Sequence, residues 1–552
     1  MLKLRPPRMS TLKTPTPRSP IAIPRSTQGV AFSPLRRRVV CAGVAAGSLF
    51  LPVPYAKVWA QSGATLKLLR VPKLALAVGN NKYRDAPLKN PVNDARAIGE
   101  ALQEMGFEVT VKLEAGRAEL AAAVRAYTQA LASRKCVGLF YYAGHAIQLA
   151  WRNYMLPVDA EINTIADIQK QAVEVGELLE GMKRAANPMN VIILDACRDN
   201  PFVSLKGVDH KGLAQMDAPL STLLAYATSP GNIASDGDGA NGLYTEHLLK
   251  EIKVPQAKIE DVFKRVRLGV RRRSNGQQVP WESTSLEEDF YFLPPQELRK
   301  ITEPEAEKQF NQELAIWEKI KKAQEPAPLE EYLRQYPSGH FAELAQFQLD
   351  RVLARLGEKK IQVESLESNP YSKGTAVADT KRKVGDSYTY REFDLYTKIV
   401  NRTFTRTITE ITDNEVIYAG GGRTDLLGNS LRTSYGAPST GSQIWGVDYA
   451  VGKRWTSRHK TVSRNGVPVQ VDLEVRVVAR GKIAVPAGTF DAFVVEANGY
   501  AIGAGVNTRS DSKRWIAPHQ VRAELAIELH ERGRDGRVVA SERRELVSFR
   551  QT

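Results

Sequence analysis

A histidine and a cysteine each follow an apolar segment that is typical of a buried strand. The run 138–143 ends two residues before His145, and the run 191–195 ends two residues before Cys197, with a separation of 197 − 145 = 52 residues. If the two strands are parallel neighbours, both side chains emerge at the same edge of a sheet. A thiol and an imidazole held there can act as nucleophile and general base, so that Cys197 attacks an acyl carbon and His145 carries its proton to the leaving amine.

The surrounding sequence predicts the sheet that this pairing requires. Residues 70–297 alternate short β-branched segments with amphipathic ones, which favours an α/β fold with a mainly parallel sheet flanked by helices. The expected strands are Leu74–Val78, Glu108–Lys112, Val137–Ala143, Val191–Asp195 and Leu223–Thr228. The expected helices are Val92–Met105, Arg117–Ala132, Val175–Ala185, Leu243–Glu251 and Ile259–Arg273.

Three further regions follow the α/β region. Residues 303–357 have a helical pattern, and the polar, Gly- and Lys-rich stretch 358–385 is typical of a linker. From residue 386 to 552 the hydrophobic period changes to two, most clearly in the alternation of Val467 to Val477. This period predicts a C-terminal antiparallel β domain.

The chain has 552 residues and a net charge of +16, but the positive charge is concentrated at the start. Residues 1–60 contain ten Lys and Arg and no acid, which leaves 16 − 10 = +6 for the rest and removes the main support for general polyanion binding. Arg36-Arg37-Arg38 precede the apolar run Val39–Leu51. This order resembles a twin-arginine signal and predicts a periplasmic or secreted protein; the alternative is an uncleaved anchor.

Seven short motifs resemble the caspase-like cysteine peptidases, in their metacaspase-like bacterial branch. They keep the order of that family across about 220 residues. The motifs are Leu-Ala-Val-Gly-Asn at 76–80, Asn-Asp-Ala at 93–95, Tyr-Tyr-Ala-Gly-His at 141–145, Asn-Tyr-Met-Leu-Pro-Val-Asp at 153–159, Leu-Asp-Ala-Cys-Arg at 194–198, Ala-Tyr-Ala-Thr at 225–228 and Glu-Asp-Phe-Tyr at 288–291.

The resemblance implies that His145 and Cys197 form the catalytic dyad. It also implies an oxyanion hole made by the backbone N–H groups of Cys197 and of the residue after the histidine, which is usually Gly and here is Ala146. A backbone donor survives the change from Gly to Ala if φ is negative.

The resemblance also implies a substrate pocket lined by Asp94, Asp195 and Ala143. Two carboxylates in that pocket would repel a substrate Asp and pair with Arg or Lys, so cleavage is expected after basic residues. By the same likeness, the backbone of Ala225–Ser229, which includes Tyr226, Ala227 and Thr228, is expected to offer an exposed strand edge to the peptide. Self-cleavage at Lys206 or Lys211 is a hypothesis, and a solvated loop is the equal alternative.

No cofactor or metal site is expected from the histidines, which lack metal-ligand spacing. Calcium activates some metacaspases, but no acidic ligand loop of that family can be traced in this sequence. Cys136 opens the strand that leads to His145, which places it about 20 Å from Cys197 at the opposite edge of the sheet. The nucleophile is therefore expected to stay free of a disulfide with Cys136.

The main hypothesis is an exported endopeptidase whose partners are peptides with Arg or Lys before the cleaved bond, without specific nucleic acid and without a membrane after signal removal. One alternative is a weak or inactive caspase-like scaffold that binds proteins through its helical and β domains. Another is polyanion binding by a basic cluster on the last helix of the α/β region, although a solvated helix face is favoured for it. The cluster consists of Arg265, Arg267, Arg271, Arg272 and Arg273.

Overall fold

The computed structural model describes residues 63–196, 212–232, 234, 237, 239–296, 301–359, 369–463 and 466–552. The predictions for the leader, for Cys197 and for the two candidate cleavage sites Lys206 and Lys211 fall outside these residues. Within the described residues, no helix is long and apolar enough to span a membrane.

The α/β domain contains a main sheet and a small one. Its strands are β1 (Lys73–Gly79), β2 (Glu108–Leu113), β3 (Val137–Ala143), β4 (Ala146–Leu149), β5 (Arg152–Met155), β6 (Val173–Glu174), β7 (Met189–Asp195), β8 (Thr222–Tyr226) and β9 (Trp281–Thr284). Its helices are α1 (Gly63–Arg70), α2 (Pro91–Glu104), α3 (Arg117–Arg134), α4 (Ile165–Gln171), α5 (Val175–Ala185), α6 (Leu243–Glu251) and α7 (Ile259–Arg273). Every predicted strand and helix of this region is present, within about two residues of its expected bounds.

In the described residues the main sheet has six strands in the order β2-β1-β3-β7-β8-β9. All neighbours are parallel except β8 and β9. All residues of β3, β7 and β8 are buried, as expected for strands covered by helices on both faces. The prediction of a mainly parallel α/β sheet is confirmed.

The register of β3 and β7 decides how the site is built. Ala143, the last residue of β3, lies directly opposite Asp195, the last residue of β7. The two strands therefore end level with each other, and His145 and Cys197 each follow the last paired residue by two positions. The sequence-based expectation that these strands are parallel neighbours is confirmed.

The helical segment contains α8 (Glu303–Ile320), α9 (Pro326–Gln335) and α10 (Ala342–Arg355). A capping box at Thr302 and Glu305 starts α8. Three aromatic side chains stack within its core: Phe341 lies 5.8 Å from Trp317 and 5.9 Å from Phe310 between ring centroids. This confirms the predicted helices over 303–357.

The β domain is dominated by one antiparallel sheet. Its strands are β10 (Thr375–Val377), β11 (Ser387–Asp394), β12 (Val400–Ile411), β13 (Glu415–Tyr418), β14 (Arg423–Asp425), β15 (Ser430–Arg432), β16 (Asp448–Ala450), β17 (Arg454–Val462), β18 (Pro468–Val485), β19 (Gly488–Gly503), β20 (Val506–Ile516), β21 (Glu524–Gly533) and β22 (Val538–Arg550). In the described residues eleven of these strands form the order β15-β14-β13-β12-β11-β22-β21-β20-β19-β18-β17. Val469, Leu473, Val475 and Val477 are buried along β18, as the alternating sequence predicts.

The linker prediction is wrong for the described part of 358–385. Residues 375–377 form β10, which pairs with β16, and residues 369–373 pack on the α/β domain. The side chains of Asp217 and Ser372 are joined by a 2.7 Å hydrogen bond, and the Lys373 N–H donates to the other Asp217 carboxylate oxygen at 2.6 Å. A polar composition predicts a solvated segment, but these polar groups form their hydrogen bonds within the fold.

Candidate active site

His145 follows β3 through Gly144 at a point where the chain passes two tyrosine hydroxyls. A Cβ atom at Gly144 would lie 2.5 Å from the Tyr83 hydroxyl oxygen and 2.9 Å from that of Tyr142. Only glycine fits without displacing these side chains. The chain then continues directly into β4, so His145 is held between two strands.

The ring of His145 is buried, with 5% of its surface exposed, and its Nε2 lies 2.8 Å from the Ala86 carbonyl oxygen. A carbonyl oxygen only accepts a hydrogen bond, so Nε2 carries the proton in this contact. In the neutral imidazole the lone pair is then on Nδ1, the nitrogen that can act as a base. The Tyr83 ring packs edge-on against His145 at a centroid distance of 4.6 Å.

Two tyrosines, the buried Tyr142 and the partly buried Tyr83, fix the backbone of His145. The His145 N–H donates to the Tyr83 hydroxyl at 2.9 Å, and the Tyr142 hydroxyl donates to the His145 carbonyl at 2.7 Å. Burial raises the pKa of Tyr83 to about 12 and that of Tyr142 well above its ordinary value. Both hydroxyls therefore stay protonated near neutral pH.

Sequence reasoning missed the roles of Ala86 and Tyr83. The carbonyl of Ala86 acts through the backbone, so its residue type carries no signal. Tyr83 lies next to the motif at 76–80, and its hydroxyl reaches His145 only because the loop after β1 folds back over the end of β3. The Asn81 side chain supports this loop by accepting a 2.7 Å bond from Val92 N and donating a 2.9 Å bond to the Lys89 carbonyl.

The backbone of Ala146 tolerates a side chain and leaves the N–H of this residue unused by the neighbouring strand. Its φ is not positive, so the methyl group adds no strain of the kind that glycine avoids. The Leu156 N–H donates to the His145 carbonyl at 3.0 Å, which makes the next pair, Ala146 and Met155, the non-hydrogen-bonded type of an antiparallel ladder. In such a pair the N–H groups point away from the partner strand. The Ala146 N–H therefore makes no hydrogen bond with β5.

Asp195 ends β7 and is 1% exposed. Its carboxylate accepts hydrogen bonds from the Thr245 hydroxyl at 2.9 Å and from the Tyr141 hydroxyl at 3.4 Å. The two hydroxyls are themselves 2.6 Å apart. Ala143, the third predicted pocket residue, is buried directly opposite Asp195.

Asp94 lies in the first turn of α2 and is fully buried. One of its carboxylate oxygens accepts from the Gly242 N–H and from the Asn241 side chain, both at 2.9 Å, just before α6 begins. Burial raises the pKa of Tyr141 well above its ordinary value, and the charges of Asp195 and Asp94 raise it further. The fold thus brings both predicted acids within electrostatic range of one tyrosine hydroxyl.

The predicted peptide-binding edge is wrong for the strand residues Ala225 and Tyr226. Both pair with β7 on one side and with Glu282 and Trp281 of β9 on the other. The following N–H, of Ala227, donates to Leu194 O at 3.0 Å, and the Ala227 carbonyl accepts from the Gln278 side chain at 2.9 Å. Thr228 is fully buried as well. The sequence resembles a substrate-binding strand, but it contains no indication that β9 returns along its outer edge.

The arginine cluster on α7 is part of an interface rather than the solvated face that was favoured. Arg271 is 13% exposed, and its guanidinium lies 2.7 Å from both Asp350 of α10 and Glu358, which follows that helix. Arg272 pairs with Glu330 at 2.7 Å. These contacts join α7 to the helices that follow it, which weakens the alternative of polyanion binding.

Among the residues that the structure describes, no group of three or more His, Cys, Asp and Glu side chains is placed to hold a metal ion. Cys136 is buried and is not in a disulfide. The expectation that the chain needs no cofactor stays a prediction.

Comparison with known proteins agrees with this geometry. Residues 72–291 match the family model of the caspase domain. The chain is 29% identical over 181 residues to the human mucosa-associated lymphoid tissue lymphoma translocation protein 1, and 28% identical over 181 residues to its mouse homolog. Each alignment covers 32% of this chain and 21% of the relative, so the chain spans about a fifth of the length of these relatives.

The fold and the family match point to one class of protein: residues 72–291 are similar to the caspase domain of caspase-like cysteine peptidases. The helical segment and the β domain lie outside the matched residues.

Proposed function

We propose that this chain is an exported cysteine endopeptidase that uses Cys197 as nucleophile and His145 as base and cleaves peptides after Arg or Lys. The single observation that carries the catalytic part is the placement of His145. It follows a strand that ends level with the strand leading to Cys197, and its Nε2 proton is held by the Ala86 carbonyl.

The reaction follows from that placement. The Cys197 thiol gives its proton to Nδ1 of His145 as the sulfur attacks the substrate carbonyl carbon, and the resulting imidazolium keeps its Nε2–H bonded to Ala86. The tetrahedral oxyanion is stabilised by the Ala146 N–H and the Cys197 N–H. The imidazolium then protonates the leaving amine, and water hydrolyses the thioester to release the acid and the free thiol.

Specificity rests on the two buried carboxylates. Asp94 and Asp195 converge near Tyr141, in a region of low dielectric where charge discrimination is strong. A substrate guanidinium or ammonium would neutralise this negative charge, whereas a substrate Asp would add a third one. The predicted order of substrates is therefore Arg and Lys far above Asp.

The test compares fluorogenic peptides that end in Arg, Lys or Asp. The wild-type chain is measured beside Cys197→Ala and His145→Ala, with Cys136→Ala as the matched cysteine control. Of the four proteins, we expect only wild type and Cys136→Ala to hydrolyse the peptides that end in Arg or Lys. Equal rates for all four proteins would contradict the dyad, and hydrolysis only after Asp would contradict the pocket.

Export and self-processing are tested separately. N-terminal sequencing of the protein from the producing cells is expected to find a chain that starts near Gln61, and replacement of Arg36 and Arg37 by Lys is expected to block its export. For self-processing, the Lys206→Gln, Lys211→Gln double variant is expected to remain intact where wild type is cut. Unchanged fragments from the double variant would contradict cleavage at those sites.

A further inference from the structure

Three hairpins of the β domain turn at the same end of its main sheet. The turns join β11 to β12, β19 to β20 and β21 to β22. In the order β12-β11-β22-β21-β20-β19 each strand is antiparallel to its neighbour, so these three turns share one end. We call segments 396–400, 502–509 and 532–539 the hairpin end.

The hairpin end exposes large apolar side chains. Of the fifteen such side chains that are exposed in the described residues, six lie here. They are Tyr396 at 66%, Ile399 at 64%, Val539 at 60%, Val400 at 52%, Val538 at 45% and Ile502 at 41% exposure. Six exposed apolar side chains at one end of a sheet are more than single scattered ones, and such a concentration is typical of a surface that binds a partner.

The same segments carry a positive charge. They contain Lys398, Arg509, Arg532, Arg534 and Arg537 and one acid, Asp535, for a net charge of 5 − 1 = +4. Arg509 is paired with Asp511 but also lies directly opposite Arg532 across the β20–β21 ladder. Like charges directly opposite each other are unfavourable, and the Asp511 carboxylate offsets the repulsion at this position only in part.

The shape of the hairpin end favours a fluid partner over a rigid one. Successive turns are two strands apart, or about 10 Å, so the apolar tips spread over about 20 Å. The tips are also staggered, because Leu395 is level with Ser541 whereas the next turn begins only after Gly533. A lipid surface adapts to separate, staggered tips, whereas a protein would need a matched pocket for each.

We propose that the hairpin end docks on an anionic lipid bilayer. The apolar tips enter the boundary between headgroups and acyl chains, and the surrounding Lys and Arg side chains contact lipid phosphates. This differs from the expectation drawn from the sequence, in which no membrane partner remains after the leader is removed. The proposal does not depend on peptidase activity.

Vesicle co-sedimentation tests the proposal with phosphatidylcholine vesicles and with vesicles of phosphatidylcholine mixed with phosphatidylglycerol. All proteins contain the same N-terminal residues, so any contribution of the leader is equal. Wild type is expected to bind the anionic vesicles and to be released by salt. The Lys398→Gln, Arg537→Gln double variant is expected to bind about five-fold more weakly for each cation removed. The Ile399→Ser, Val539→Ser variant is expected to bind at least as weakly.

Two matched controls are exposed residues away from the hairpin end. Tyr435→Ser removes an apolar side chain that is 58% exposed, and Lys319→Gln with Lys322→Gln removes two cations from the helical segment. Both controls are expected to bind as wild type does. Equal binding of all variants, or absence of binding to anionic vesicles at low salt, would overturn the proposal. A wild-type dimer in analytical ultracentrifugation that Ile399→Ser with Val539→Ser converts to monomer would assign the surface to a second copy of the chain, and would also overturn it.

Discussion

Strands of a sheet end at two places in the molecule: after β3 and β7, and at the hairpin end of the β domain. The side chains at these two places differ in burial and polarity. At the first, polar groups are buried and satisfied: His145, Asp94 and Asp195 are each at most 5% exposed and held by hydrogen bonds to neighbouring loops and helices. At the second, apolar side chains such as Tyr396 and Ile399 are left in solvent among cations. The first arrangement holds its polar groups in fixed orientations, which is what the proposed peptidase reaction requires. The second arrangement becomes energetically favourable only when another surface covers the exposed apolar side chains.

The largest expected effect is at His145. Replacement by Ala removes the base, and kcat for a basic peptide is expected to fall by about 10³-fold or more with the fold retained. The measurement is steady-state hydrolysis beside circular dichroism. His247→Gln, which changes a histidine of the same domain outside the site, serves as the control. Comparable losses of kcat in both variants would contradict a specific role of His145 in the reaction.

Asp195, one of the two acids of the proposed substrate pocket, is expected to have the next largest effect. Asp195→Asn keeps the shape and a hydrogen-bond partner for Thr245 but removes one charge, so kcat/KM for Arg and Lys peptides is expected to fall by about 100-fold. The preference for Arg over a neutral residue is expected to shrink by a similar factor. Glu104→Gln removes an exposed acid on α2 and is expected to leave both values unchanged. An unaltered preference in Asp195→Asn would refute the charge argument.

Tyr83 is expected to act through His145. Tyr83→Phe removes the acceptor of the His145 N–H but keeps the ring contact, so kcat is expected to fall by about ten-fold with little change in KM. Rates are normalised to the fraction of protein that an alkylating reagent modifies at Cys197. Tyr154→Phe in the adjacent strand β5 is the matched control. A loss explained wholly by a smaller reactive fraction would mean that Tyr83 only supports folding.

The β domain supplies a smaller, pH-dependent effect. Burial lowers the pKa of His459 to about 4, below its ordinary 6.5, so the unfolded chain takes up a proton first as the pH falls. Its contribution to stability is complete above about pH 6.5 and is lost towards pH 4. Between pH 7.5 and 5.5 the free energy of unfolding is expected to fall by about 1 kcal/mol from this residue. Denaturant unfolding of His459→Gln beside wild type measures it, and parallel pH profiles would contradict it.

Local sequence patterns were sufficient to predict features that depend on a single helix or strand. The helices Val175–Ala185 and Ile259–Arg273 and the strand Val137–Ala143 have the bounds that their periodicity predicts. The predictions of a linker at 369–377 and of an open edge at Ala225 and Tyr226 are wrong because the partners of these segments are distant in sequence. The partners are Asp217 and β16 in the first case and β9 in the second. A polar or β-prone segment does not show in its own residues what will lie beside it.

The sequence alone determined the class of fold and supplied the two acids and the His145–Cys197 pair as candidates, because apolar periodicity and side-chain chemistry are properties of short segments. The tertiary structure decided which groups control those residues. The Ala86 carbonyl that sets the tautomer of His145, the tyrosine hydroxyls that hold its backbone and the closed outer edge of β8 all depend on loops and strands returning from elsewhere in the chain. Backbone groups are the same in every residue, so their roles become visible only when the fold places them.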